Sequence, residues 1–158
     1  MRWIWIDRFV DFQPGKSATT IKNVSLAEEH LHDHWAAYPV MPVSLMIEGM
    51  AQTGGILVGH ARNFQEKVIL AKISKAEVTE LVLPGDQLKY HAEIVNVAEG
   101  AASISGTIYK NGEKIGQVEM MFSHIDQNLS GRAFPKENFV FTEQFRQLLA
   151  PFTQETSA

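Results

Sequence analysis

Pro42-Val-Ser-Leu-Met-Ile-Glu-Gly-Met-Ala-Gln-Thr-Gly-Gly-Ile-Leu-Val-Gly-His60 decides how the rest of the chain must be arranged. Pro42 suits a first helical turn, where its missing N–H would have had no intrahelical partner. The stretch therefore predicts a helix from about Pro42 to about His60. At helical spacing Ser44, Glu48, Gln52, Gly55 and Gly59 fall in one narrow stripe. Leu45, Met46, Ile47, Met50, Ile56, Leu57 and Val58 cover most of the remainder. A surface helix shows the opposite balance, so this one is predicted to be buried nearly all round, with its polar stripe facing something specific. At about 1.5 Å per residue it runs roughly 27 Å, enough to cross a small domain.

Working outward, Ile6 to Phe12 and Ala18 to Leu26 read as strands joined through Gln13-Pro-Gly15, a turn signal. Ile21, Val24 and Leu26 alternate loosely with polar residues, the pattern of a half-exposed strand. A His-rich loop then leads to the helix through the Pro39-Val-Met-Pro42 connector. After the helix, Lys67 to Val82 predicts a long strand and Leu83-Pro-Gly-Asp86 a turn. Leu88, Tyr90, Ala92 and Ile94 alternate cleanly with polar neighbours, as in a strand with one packed face. Glu99-Gly100 turns the chain into Ala101 to Lys110. Asn111-Gly112 is a strong hairpin signal, because both residues tolerate positive φ, and Ile115 to Ile125 returns as the partner strand. A helix too apolar to lie with its back to water, among antiparallel strands, implies an α+β fold. Its form is a strongly curved antiparallel sheet wrapped around one long central helix. In the tail, Phe141, Phe145, Leu148, Leu149 and Phe152 predict a short amphipathic helix with Thr142 as N-cap and Pro151 as its stop. Packing on the domain's own surface is the favoured role for that helix, with a second subunit or a substrate entrance as alternatives.

Composition narrows the function. At 158 residues, with 45% apolar and 20% charged residues, the chain reads as one soluble domain. The absence of cysteine excludes disulfides, thiolate zinc sites and cysteine nucleophiles, and fits a reducing compartment. Met1 to Asp7 is apolar too briefly for a signal peptide, and no run approaches the roughly 20 apolar residues that span a bilayer. A cytoplasmic location without membrane attachment is the expectation. The net charge of −4, with no basic cluster, argues against nucleic acid as a partner.

Glu48 is the most informative residue. A carboxylate set into an apolar helix carries a desolvation cost unless it is paired, and that cost favours the protonated, proton-donating form. The competing reading is a solvated face or an ion pair with Arg62 or Lys72. His34, just before the proline connector, is a candidate base, set against an ordinary surface or core histidine. The free N–H groups near Val43 and Ser44, at the positive end of the helix dipole, can polarise a carbonyl oxygen. His30, His32 and His34 would share one face if extended, near Glu28, Glu29 and Asp33. That spacing is loose and unlike an HExxH helix, so no metal site is assigned. Gly54-Gly55 lacks the strand-to-helix context of a phosphate loop; close packing, or clearance for an elongated ligand, is its reading. No cofactor is expected.

Five segments then occur in an order that carries a resemblance: Ile6-Asp-Arg-Phe-Val-Asp-Phe-Gln-Pro-Gly-Lys16, Ile21-Lys-Asn-Val-Ser25, His34-Trp-Ala-Ala-Tyr-Pro-Val-Met-Pro42, Glu48-Gly-Met-Ala-Gln52 and Leu83-Pro-Gly-Asp-Gln-Leu88. Together they resemble the (3R)-3-hydroxyacyl-acyl-carrier-protein dehydratases of the FabA/FabZ type, over about residues 6–125. The resemblance implies the hot-dog fold and removal of water from acyl-carrier-protein-linked 3-hydroxyacyl thioesters, giving trans-2-enoyl thioesters in fatty acid or related lipid or polyketide synthesis. It implies a homodimer or a trimer of dimers with the site between subunits. His34 from one chain and Glu48 from the other would be catalytic, and Glu48 in place of aspartate resembles the branch that only dehydrates. Val43 N–H would hold the thioester oxygen, while Ser44, Gln52 and Gly55 would border the acyl chain. The chain departs from the family pattern at Trp35-Ala36, where Phe-Pro is usual, at Val43, where glycine is usual, and at Val78, near which an aromatic residue is usual. On this reading residues 1–126 form the hot-dog domain, and 127–158 extend the same domain. A hot-dog thioesterase and a non-catalytic acyl-binding or assembly partner are the alternatives.

Overall fold

The computed structural model of the chain describes residues 3–33, 37–125 and 141–153. Six strands form one sheet in the order β1-β2-β4-β5-β6-β3, with every neighbouring pair antiparallel. They are β1 (Arg8–Gln13), β2 (Ser17–Asn23), β3 (Val68–Val78), β4 (Gln87–Val97), β5 (Ala101–Lys110) and β6 (Glu113–His124). The helices are α1 (Glu29–Asp33), α2 (Val43–His60) and α3 (Glu143–Thr153). Because β2 and β3 lie far apart in the sheet, α2 must cross its whole width to connect them, and it touches every strand from β2 to β6. Register breaks in β1, β3 and β4 add local twist and help the sheet curl around the helix. This is the α+β hot-dog arrangement expected above.

The core forms where the inward-facing residues of the meander meet α2. Leu88, Tyr90 and Ala92 of β4, Ala102, Ile104 and Ile108 of β5, and Val118, Met120 and Phe122 of β6 are all buried. They close on Met46, Met50, Ile56 and Leu57 of α2. From Gly49 to Gly59 every residue of α2 is buried, so the helix lies in the core as its composition requires. Pro42 is the N-cap and not the first helical residue, with φ −60° and ψ 134°. The hairpin at Asn111-Gly112 has φ values of 52° and 96°, the left-handed pair of a two-residue turn. Among the described residues no helix is long and apolar enough to cross a membrane.

Three expectations need correction. β2 ends at Asn23 and is buried from Ser17 to Lys22, not half-exposed. Thr20 turns inward to hydrogen-bond Thr53 of α2 (2.6 Å), and Thr19 is covered by His91 of β4 (2.8 Å), so small polar residues are paired and need no water. Part of the His-rich loop is helical: α1 carries His30 and His32, which therefore do not share a face. Pro151 lies inside α3, which runs two residues past it, because a proline in the last turn forfeits only one helical bond.

Candidate active site

The site is organised by the N-terminal segment lying along α2. Trp3 and Trp5 alternate in an extended stretch that leads into β1. The Trp5 backbone N–H donates to Gln52 Oε1 (2.8 Å), and Gln52 Nε2 donates to the Trp3 carbonyl (3.2 Å). These two backbone bonds fix which end of the Gln52 amide is oxygen and which is nitrogen. The amide nitrogen then donates to Glu48 Oε1 (3.0 Å), and the Trp3 indole Nε1–H donates to the same oxygen (3.0 Å). Both hydrogen bonds fall on Oε1, and Oε2 has no partner among the described residues. Glu48 is half-buried, and it pairs with these neutral donors and not with Arg62 or Lys72.

Beside this carboxyl lies a cavity of about 280 Å³. Glu48, Ala51, Gln52, Gly55 and Ile56 of α2 form one wall, and Val68, Ile69 and Leu70 of β3 with Phe122 of β6 form the facing one. Trp3 borders the Glu48 side, and Phe141 and Phe145 complete the lining. The two adjacent glycines differ in purpose. A Cβ on Gly54 would collide with Ile104, whereas one on Gly55 would reach Phe122 at an ordinary 3.4 Å. Gly54 thus permits helix–sheet contact, and Gly55 leaves volume for the cavity.

Glu48, Gln52 and Gly55 therefore come together. Val43, 45% exposed, and Ser44 occupy the exposed first turn of α2 and do not line the cavity. Their N–H groups precede the first helical bonds, which Leu45 and Met46 make to the Pro42 carbonyl (3.0 and 3.2 Å), so both stay available to an acceptor. His34, with Trp35 and Ala36, lies outside the described residues. The chain on either side of it is tied down. Lys22, buried in β2, pairs with Glu28 just before α1 and with Asp7 (3.4 Å). Leu31 of α1 is buried, and His30 packs edge-on against Trp5 with its Nε2 3.2 Å from Met41 Sδ. On the far side the Met41 N–H donates to the Val82 carbonyl (2.8 Å). Among the described residues no three His, Asp or Glu side chains cluster as metal ligands.

The cavity-lining roles of Trp3, β3 and Phe122 were not foreseen from the sequence, and for Phe141 and Phe145 a substrate entrance stood only as an alternative to packing on the domain's own surface. The Trp3-Ile-Trp-Ile6 alternation was the one local signal, since two-residue periodicity marks an extended segment with one face to bury.

The sequence and the fold both have counterparts among known proteins. The model of the FabA-like domain matches residues 3–119. The 3-hydroxyacyl-acyl-carrier-protein dehydratase FabZ of Clostridium acetobutylicum is 37% identical over 118 residues, covering 74% of this chain and 84% of that protein. FabZ of Nitratiruptor sp. is 31% identical over 132 residues, covering 79% and 89%. Among solved structures, the dehydratase heterocomplex ApeI:P from Xenorhabdus doucetiae superposes with a TM-score of 0.66 at 16% identity, over 79% of this chain and 85% of that one. A hypothetical thioesterase with coenzyme A from Streptococcus pneumoniae gives 0.59 at 9% identity, over 74% and 86%. At such identities the structural likeness concerns the fold alone.

Proposed function

Since the chain belongs to the FabA-like family and, within it, is related to the FabZ dehydratases, we propose that it removes water from (3R)-3-hydroxyacyl thioesters carried by acyl carrier protein. One observation carries the assignment of Glu48: both hydrogen bonds to its carboxyl fall on Oε1. Oε1 is thereby an acceptor of two N–H groups, and Oε2 is the oxygen from which a proton would pass to the substrate. In the reaction, the N–H groups of Val43 and Ser44 polarise the thioester carbonyl and acidify the α-carbon. His34 takes the α-proton, the C–O bond at the β-carbon breaks, and the Glu48 proton leaves with the hydroxyl as water. The α,β double bond forms from the electrons of the broken C–H bond. Transfer of a proton from the imidazolium back to the carboxylate resets the pair.

Within one chain Val43 stands about 7.5 Å along the helix axis from Glu48, at 1.5 Å per residue. A two-chain site accommodates that spacing. β3 is an edge strand, exposed from Ala71 to Ser74, and Ile69 and Leu70 beside it line the cavity. A homodimer joined along this edge, alone or as a trimer of dimers, would close the open side and supply His34 and the Val43 N–H from the second copy. The cytoplasm is the compartment in which carrier-linked thioesters would meet it.

The test is hydration of a crotonyl thioester and dehydration of the 3-hydroxybutyryl thioester by wild type, His34→Ala and Glu48→Gln, followed by mass. A gain or loss of water that both variants abolish is the expected result. Hydrolysis without change in unsaturation would identify a thioesterase, and near-wild-type turnover by either variant would remove that residue from the mechanism.

A further inference from the structure

The family match ends at residue 119, and besides Phe122 of β6 two residues of the cavity wall from a separate, later segment lie beyond it, Phe141 and Phe145. They belong to the segment that carries α3, and this segment is held firmly. Phe141 is 5% exposed and Leu149 is 2% exposed. The Phe141 ring lies 5.0 Å from that of Phe64, and Phe152 reaches Phe9 of β1 at 6.4 Å. Phe141 sits so close on α2 that a Cβ on Gly59 would overlap its ring. The polar stripe of α2 runs Glu48, Gln52, Gly55, Gly59, so this ring stands one turn beyond the last residue of α2's stripe that lines the cavity. An acyl chain that starts at Glu48 and follows the stripe meets Phe141, with Phe145 beside it, before it can leave the domain. The cavity of about 280 Å³, open on one side, is just smaller than the roughly 300–1,000 Å³ usual for ligand pockets.

We propose that the C-terminal segment acts as an end wall of the acyl pocket, through Phe141 and Phe145, and restricts the enzyme to short 3-hydroxyacyl chains. This rests on the dehydratase reading above, and it adds a specificity-determining element outside the matched domain. Phe145 is the residue to change, because it is half-buried and lies away from the Gly59 contact. The full-length chain would be assayed with 3-hydroxybutyryl, 3-hydroxyoctanoyl and 3-hydroxypalmitoyl thioesters of N-acetylcysteamine, as wild type, Phe145→Ala and Phe145→Trp.

In the wild type, kcat/KM should fall on the order of a hundredfold or more from the butyryl to the palmitoyl substrate. Phe145→Ala should raise the octanoyl-to-butyryl ratio by about tenfold, and Phe145→Trp should lower it by a similar factor. A flat wild-type profile overturns the proposal while leaving the dehydratase reading intact. A ratio that moves in neither variant, both shown to be folded by thermal melting, does the same. If no thioester is turned over, the dehydratase reading fails. The end wall is then judged by binding of the same three thioesters to the wild type: preference for butyryl sustains it, and equal affinity for palmitoyl overturns it.

Discussion

The two ends of α2 share one stripe and use it in opposite ways. Toward the N-terminus the stripe carries Glu48 and Gln52, polar groups whose hydrogen bonds come from the crossing segment Trp3–Trp5. Toward the C-terminus it carries Gly55 and Gly59, and aromatic rings take the place of side chains. Phe12 and Phe64 flank His60 at 5.0 and 5.8 Å, and Phe141 rests on Gly59. One end therefore aims a charge-bearing group, and the other defines volume. A helix buried over most of its length can do both only if its buried polar groups are paired and its clearances are built from glycine. Substitutions at the first end should change rate, and substitutions at the second should change stability or the length of chain accepted.

The largest effect is expected at the polar end. Glu48→Gln keeps the size of the side chain and an oxygen that can accept from Trp3 and Gln52, and it removes the transferable proton. The dehydration kcat should fall by roughly 10²–10⁴, the usual contribution of a positioned acid or base, with little change in the thermal melt. If the variant keeps more than about a tenth of the wild-type rate, the division of labour between the two ends is wrong.

Gln52→Ala should be felt in both rate and stability, because Gln52 is the joint between the carboxyl and the backbone of the crossing segment. Its loss leaves the buried Trp5 N–H without its acceptor, at a cost of about 1–3 kcal/mol. Urea denaturation would read this as a lower midpoint. The rate loss should be smaller than that of Glu48→Gln, since the Trp3 indole still holds Oε1. An unchanged midpoint would mean that water replaces the amide and that the network orients nothing.

How much of this could be read beforehand differs between the same two ends. The α2 helix, the sheet around it and the Asn111-Gly112 hairpin follow from periodicity and turn chemistry, which are local. Helix α1 was missed because five residues are too few to show a period. Its signal was Ser25-Leu-Ala-Glu28, the S-x-x-E pattern of a helix start. The Ser25 N–H donates to Glu28 Oε2 (3.2 Å), and Ser25 Oγ accepts from the Ala27 N–H (3.2 Å). Glu48 stood out as a carboxylate in an apolar helix, but its partners Trp3 and Gln52 depend on where a distant segment docks. Phe141 and Phe145 showed a stripe without an address, since nothing local says which surface an amphipathic helix covers.

The glycines offer a sharper comparison within a single turn. Gly54→Ala and Gly55→Ala gain the same helix propensity, about 1 kcal/mol, so that contribution cancels between them. What remains is packing. The new methyl at position 54 drives into Ile104, and overpacking of a filled core costs about 1–3 kcal/mol. At position 55 it meets Phe122 at 3.4 Å and takes space only from the cavity. Gly55→Ala should thus be the more stable of the two by about that packing cost, and it should narrow the range of acyl thioesters accepted. Equal denaturation midpoints would show that Ile104 yields easily and that the two glycines are equivalent.

The smallest effect belongs to the aromatic end and concerns pH. Partial burial beside Phe12 and Phe64 pushes His60 below its ordinary pKa of 6.5, because the charged imidazolium is poorly solvated there. The folded protein therefore binds this proton less readily than the unfolded chain. Well above 6.5 both states are neutral at this residue, and the advantage of the folded state is complete. As pH falls through 6.5 the unfolded chain takes up the proton first, and stability is lost until the folded value has also been passed. Replacing His60 with glutamine should flatten the melting temperature against pH across that acidic limb and leave the limb above neutrality unchanged. An unaltered slope would mean that the ring is solvated in both states, so that the aromatic end excludes water less completely than its packing implies.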